Sequence, residues 1–162
     1  MIIIIHDRKD LNGVKIPQTG KTHVIPENDS IKPCICCFDC WVKTPGECTI
    51  KDGFENLGLL MSKCEKLIII SECFYGSYSP FVKNVLDRSA CPSLLPFFTV
   101  KNGETHHPKR YKNNVSTAIH FYGTIPQAEK ETAKKLIKAN RVNLYSSAEV
   151  FFHDSFDDIK EV

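Results

Sequence analysis

The sequence predicts an α/β protein built on a doubly wound parallel sheet, and three observations carry that expectation. Two uninterrupted runs, Ile2-Ile3-Ile4-Ile5 and Lys66-Leu67-Ile68-Ile69-Ile70-Ser71, have the composition of strands covered on both faces. Amphipathic stretches of helical period fall between the strand-like runs. The alternation of the two implies right-handed parallel crossovers. A chain of 162 residues suits one domain with one core, expected over residues 1–162.

The elements follow in order. Residues 2–5 form the first strand, and Thr22-His23-Val24-Ile25 a weaker second one, nearer an edge because Pro26 cannot donate to a ladder. Between them, residues 7–21 contain Gly13, Pro17 and Gly20 but no amphipathic pattern, so the first crossover helix is shortened or missing. Residues 53–64 carry Phe54, Leu57, Leu60, Met61 and Cys64 on one helical stripe. Residues 66–71 make the central strand. Ser79-Pro80 reads as an N-cap followed by proline at the first helical position, opening a helix through Phe81, Val82, Val85 and Leu86 to about Arg88. Residues 92–114 read as loop. Strands at 117–122 and 149–153 flank a helix opened by Pro126, with Glu129 and Glu131 early and lysines late, as the helix dipole prefers.

Composition excludes several classes. A formal net charge of +2 leaves no electrostatic footprint for nucleic acid, and Lys134, Lys135 and Lys138 suit a solvated helix face. The apolar start is cut short by Asp7-Arg8-Lys9-Asp10, too soon for a signal peptide or a membrane helix. The protein is expected to be cytoplasmic, with no membrane partner. The first strand still needs cover on both faces. Either residues 7–21 or a neighbouring subunit supplies it, which makes a homo-oligomer the expectation. His106 and His107 read as an exposed pair, and His6 ends a strand on the edge where ligands bind.

Eight cysteines are many for this length. In a reducing compartment they point away from a disulfide framework and toward metal, cluster or redox chemistry. Cys64 and Cys91 read as small buried hydrophobes. The sharpest local signal is Cys34-Ile-Cys36-Cys37-Phe-Asp-Cys40, followed by Cys48. Cys34, Cys37, Cys40 and Cys48 together provide four soft thiolates from one loop, a donor set for a [4Fe–4S] cluster. The same four suit tetrahedral zinc, and the plainest alternative is a connecting loop with free thiols.

Three segments in order resemble the NADPH-dependent FMN-reductase-like proteins and the iron–sulfur flavoproteins. They are residues 31–52 around the cysteines, Ser71-Glu-Cys-Phe-Tyr-Gly-Ser-Tyr-Ser-Pro-Phe-Val-Lys-Asn-Val-Leu-Asp-Arg88, and Glu129-Lys-Glu-Thr-Ala-Lys-Lys-Leu-Ile-Lys-Ala-Asn140. The resemblance covers the chain from about Thr22 onward. It implies a flavodoxin-like five-stranded sheet, ordered 2-1-3-4-5, with FMN outside the carboxyl ends of the strands. Carried onto this sequence, the flavin loop is Cys73, Phe74, Tyr75, Gly76 and Ser77, and the next loop adds Tyr122 and Gly123. An aromatic there would stack on the ring and a glycine would admit backbone amides; otherwise Phe74 or Tyr75 packs in the core and Gly76 serves a turn.

The first loop departs from the family. In place of a Gly/Ser cradle at a helix N-terminus stands His6-Asp7-Arg8-Lys9-Asp10. Losing two or three charge-assisted hydrogen bonds to a phosphate costs about 3–9 kcal/mol. Arg8, or Lys9 or Lys15, would recover part of that, with Asp7 and Asp10 opposing. The leading expectation is an FMN-dependent NAD(P)H oxidoreductase or flavin electron carrier with a redox partner protein. The alternatives are a flavodoxin-fold binding or assembly module without FMN, and a cysteine-based Fe–S or metal redox module.

Overall fold

The structure, a computed structural model, describes all residues except Thr19, Asn102 and Tyr145. The isoleucine runs become β1 (Ile2–His6) and β3 (Lys66–Glu72); the other main strands are β2 (Thr22–Ile25), β6 (Val115–Tyr122) and β7 (Ser146–His153). They form a five-stranded sheet in the order β2-β1-β3-β6-β7. Every pairing in it is parallel, with Ile4 opposite Val24 on one side and Ile68 on the other. This is an α/β architecture compatible with the Rossmann and flavodoxin-like class.

The strand order differs from the expected 2-1-3-4-5. Residues 92–114 are not all loop: they contain a separate antiparallel hairpin, β4 (Thr99–Lys101) and β5 (Glu104–His106), which lies outside the main sheet. The last two parallel strands are therefore the sixth and seventh in the chain. Four helices complete the described elements: α1 (Asp39–Val42), α2 (Leu57–Ser62), α3 (Pro80–Ser93) and α4 (Gln127–Leu144). Pro80 takes the first position of α3, but among the described residues Ser79 makes no side-chain capping bond and its buried hydroxyl finds no partner.

Strand alternation sorts the core into two clusters. Ile3, Ile5, Leu67, Ile69, Ile119 and Phe121 face α2, α3 and α4, whose Leu57, Val82, Val85, Ala133 and Ile137 complete the larger cluster. Ile4, Ile68, Ile70 and Tyr122 face the other way, onto Ile159, with Leu11, Val14, Ile16, Phe156 and Val162 packed around them. The sheet is thus not wound with helices on both faces. Among the described residues no helix joins β1 to β2, and the chain after β7 forms only a 3₁₀ turn at Phe156–Asp158. Cover for β1 on this face comes from the 11–16 segment and from the tail beyond β7. No helix is long and apolar enough to cross a membrane among the described residues.

Candidate functional site

In parallel α/β sheets, ligands bind beyond the carboxyl ends of the strands, where the winding direction reverses. Here the reversal lies between β1 and β3, and three of the predicted segments do meet there. The end of β1 brings Asp7 and Arg8, the end of β3 brings Cys73–Ser77, and the end of β6 brings Tyr122 and Gly123.

Asp7 fills the reversal point itself. Its Oδ2 accepts the Glu72 backbone N–H at 2.7 Å, with Ser71 Oγ 3.4 Å away, and its Oδ1 accepts the Tyr122 hydroxyl at 2.8 Å. Burial first, and then the Asp7 carboxylate, push the Tyr122 phenol well above its ordinary value, so it stays a proton donor. Ser71 Oγ in turn accepts the Ser79 N–H at 2.8 Å, tying the start of α3 to the same network. Arg8 is not aimed at this point: its guanidinium lies 4.9 Å from the centroid of the Phe156 ring. Asp7, Asp10 and Glu27 line the adjoining groove with Arg8 and Lys9. His6, just before, is buried, which lowers its pKa, and its Nδ1 accepts the Arg8 N–H.

The predicted flavin loop is a two-residue turn. Phe74 and Ser77 exchange both backbone hydrogen bonds, at 2.9 and 2.8 Å, while Tyr75 and Gly76 take positive φ of 50° and 76°. Tyr75, at the tip, is 87% exposed, and Phe74 is 41% exposed. A Cβ on Gly76 would stand 2.6 Å from Thr132 Cβ and 2.8 Å from Glu129 O. The glycine lets the turn press against α4. Cys73 is half-buried, its N–H donating to Tyr122 O, and Gly123 donates to His153 O.

The β1 edge offers a phosphate a resident carboxylate, which accepts from the Glu72 N–H and the Tyr122 hydroxyl, and among the described residues no helix starts between β1 and β2. Two unit negative charges ~4 Å apart repel by about 4 kcal/mol at an effective dielectric of ~20, and a phosphate carries more than one.

The cysteine loop is shaped by two left-handed residues, Cys36 (φ 52°) and Phe38 (φ 59°), just before α1. The chain then folds back, with the Gly46 N–H on Cys40 O at 3.0 Å and Cys37 Sγ 3.9 Å from Thr49 Oγ1. Cys40 and Cys48 are buried, Cys34 is half-buried, and Cys36 and Cys37 are exposed. Burial, followed by the neighbouring Cys48, Cys34 and Cys37, raises the Cys40 thiol. The four predicted thiols therefore share one neighbourhood, and α3 adds Cys91, which burial and then Cys40, Cys34 and Cys36 push up to about 12. Cys64 is fully buried elsewhere, as expected, whereas Cys91 is only half-buried. No group of three or more His, Cys, Asp or Glu side chains is placed to hold a metal ion among the described residues. Sulfurs around one tetrahedral zinc would stand ~3.8 Å apart, given Zn–S bonds of ~2.3 Å; ligands of a four-iron cluster stand farther apart.

Two anchors hold this loop on α3. Trp41 Nε1 donates to Cys91 O. Arg88 and Asp52 form a bidentate pair at 2.7 and 3.0 Å, with side chains 0% and 2% exposed. Arg88 also donates to Lys32 O; burial works to lower its pKa, but Asp52, followed by Cys48, outweighs that and raises it. The reading of His106 and His107 as an exposed pair is overturned. His106 is 6% exposed, and the His107 ring stands 5.0 Å from the Trp41 ring, its Nδ1 at 3.0 Å from both Leu95 O and Phe97 O. The hairpin folds back onto the loop and α3, turning both histidines inward.

Sequence reasoning missed Asp7 as the occupant of the strand-end site, and Arg88 and Asp52 as the loop's anchor. An acid directly after the first strand is the signal that marks Asp7. Comparison of the chain with protein-family models yields no match, and comparison with curated proteins yields none either.

Proposed function

We propose that this is a flavodoxin-like protein whose strand-end site is closed to FMN and whose working centre is the cysteine loop. The observation that carries the reading is the Asp7 carboxylate, held by the Glu72 N–H and the Tyr122 hydroxyl where a flavin phosphate would sit. Without bound flavin there is no acceptor for a hydride from NAD(P)H. In this reading Cys34, Cys37, Cys40 and Cys48 hold a [4Fe–4S] cluster, which carries single electrons when bound. Support comes from the nearness of the other three thiols to Cys40, each of which raises its pKa, and from the exposure of Cys37, which leaves the loop open to an incoming cluster. Binding would release the proton that burial favours on the Cys40 thiol. The electrons then pass to a redox partner protein.

The test is anaerobic purification of the full chain with iron and acid-labile sulfide analysis, followed by FMN titration. We expect four irons per chain, lost in Cys40→Ser, and no saturable FMN binding. Tight FMN binding by the unmodified chain would overturn the closed-site reading. A chain free of iron after cluster reconstitution would overturn the cysteine-centre reading, leaving the flavin-free binding module.

A further inference from the structure

The sheet face without helices is only half covered. The 11–16 segment and the tail beyond β7 pack over β1, β3 and Tyr122, and the rest of β6 and β7 on that face stays open, with Glu149 and Phe151 exposed. Register sets Ala118 and His120 of β6 beside Glu149 and Phe151 of β7 on this open half, with Lys66 of β3 at its margin. Ile16, Pro17 and Glu161 raise a wall on the side of the tail, where Lys15 and Glu161 form a parallel bridge. Floor and wall bound a trough of about 620 Å³, within the ~300–1,000 Å³ of small-molecule sites.

The floor carries an aromatic stack that remains partly open. The His120 ring lies on the Phe151 ring with centroids 4.8 Å apart, and Phe151 is still 42% exposed. His120 itself is 7% exposed, and its Nδ1 stands 3.1 Å from His153 Nε2. Its other ring nitrogen, Nε2, has no hydrogen-bond partner among the described residues. Burial, followed by His153 and Lys66, keeps this imidazole neutral at pH 7. With His153 donating to Nδ1, the proton of His120 sits on Nε2, a buried donor at the floor of the trough.

Charge narrows the ligand. Lys15, Lys66, Glu149 and Glu161 all line the trough, and among the described residues none of these four side chains has an ion pair or a hydrogen bond. Two cations and two anions suit neither a simple anion, which half of them would repel, nor an apolar layer, which would bury them unanswered. A molecule with one charge of each sign on an apolar body answers both. We propose that the trough binds a free aromatic amino acid, with Lys66 and His120 Nε2 on its carboxylate, Glu149 on its ammonium and Phe151 against its ring. Lys66 and Glu149 flank β6 from β3 and β7, strands ~10 Å apart, so their long side chains close on a ligand from opposite sides. The site depends neither on the cysteine loop nor on the Asp7 edge.

Calorimetric titration of the full chain with L-phenylalanine, L-tyrosine and L-tryptophan, each beside its amine and its deaminated acid, tests the proposal. We expect at least one amino acid to saturate with a Kd of ~1 mM or tighter, and its amine and its acid each to bind at least ~10-fold more weakly. Lys66→Gln and Glu149→Gln should each weaken binding at least ~10-fold. The thermal midpoint should hold in both, since neither side chain has a partner in the chain. Lys138→Gln, on α4 across the sheet, should bind as the parent does. Failure of all three amino acids to saturate by ~20 mM would overturn the proposal. So would an amine or acid that binds as tightly as its amino acid, an affinity indifferent to Lys66→Gln and Glu149→Gln, or one lost in Lys138→Gln.

Discussion

Replacing Asp52 by asparagine keeps the side chain's shape and removes its charge, and this should be among the most damaging single changes in the molecule. The carboxylate accepts four hydrogen bonds: two from Arg88, one from the Lys32 N–H at 2.8 Å and one from the Phe54 N–H at 3.1 Å. Burial pushes its pKa up, but Arg88 and the two backbone donors outweigh that and hold it at about 2. The drop from 3.8 to about 2 corresponds to about 2 kcal/mol of native-state stabilisation. Asparagine also leaves the Arg88 guanidinium buried without a counter-charge, for a total cost of about 3–5 kcal/mol. In urea at pH 7, with a slope of ~2 kcal/mol per molar, the midpoint should fall by roughly 1.5–2.5 M. Because the folded pKa lies below the unfolded one, this stabilisation is complete above pH ~4 and fades as the pH falls toward 2. The gap between the two proteins should close over that window. Asp52→Leu combined with Arg88→Met, which removes both charges, should recover much of the loss. A variant within ~1 kcal/mol of the parent at pH 7, or a gap that ignores pH, would refute the assignment of Arg88–Asp52 as the loop's anchor.

Three further outcomes follow from the same geometry. Gly76→Ala forces a Cβ to within 2.6 Å of Thr132 and strains a left-handed turn, so chemical denaturation should show a loss of about 1–3 kcal/mol. Tyr122→Phe removes the hydroxyl held on Asp7 and should cost about 1.5–3 kcal/mol, the range for a hydrogen bond to a charged group. His120 is held at about 4 by burial, then by His153 and Lys66, whereas the unfolded chain titrates near 6.5. Stability should therefore fall by about 3 kcal/mol as the pH drops from 7 to 4, and His120→Gln should flatten that decline in denaturation curves taken across the range.

Local pattern was enough to place the five main strands and the order in which helices separate them. Four isoleucines in a row, or a stripe of Leu57, Leu60, Met61 and Cys64, are short-range signals that survive without knowledge of the rest of the chain. The missing helix after β1 was legible for the same reason, since a segment holding Gly13, Pro17 and Gly20 has no period to offer.

Contacts between distant positions were decided only when the sheet was assembled. Tyr122 reaches Asp7 across 115 positions, because the reversal of winding sets the ends of β1, β3 and β6 side by side. Arg88 meets Asp52 across 36 positions, because α3 packs beneath the cysteine loop. The tail carrying Phe156 and Ile159 covers β1 and β3, a role that its mixed polar sequence does not announce. His106 and His107 turned inward for a similar reason: the direction of a side chain in a hairpin depends on what the hairpin folds against. Periodicity reports which face of an element is apolar, while the identity of the group that meets that face, or that answers a buried charge, is a property of the topology.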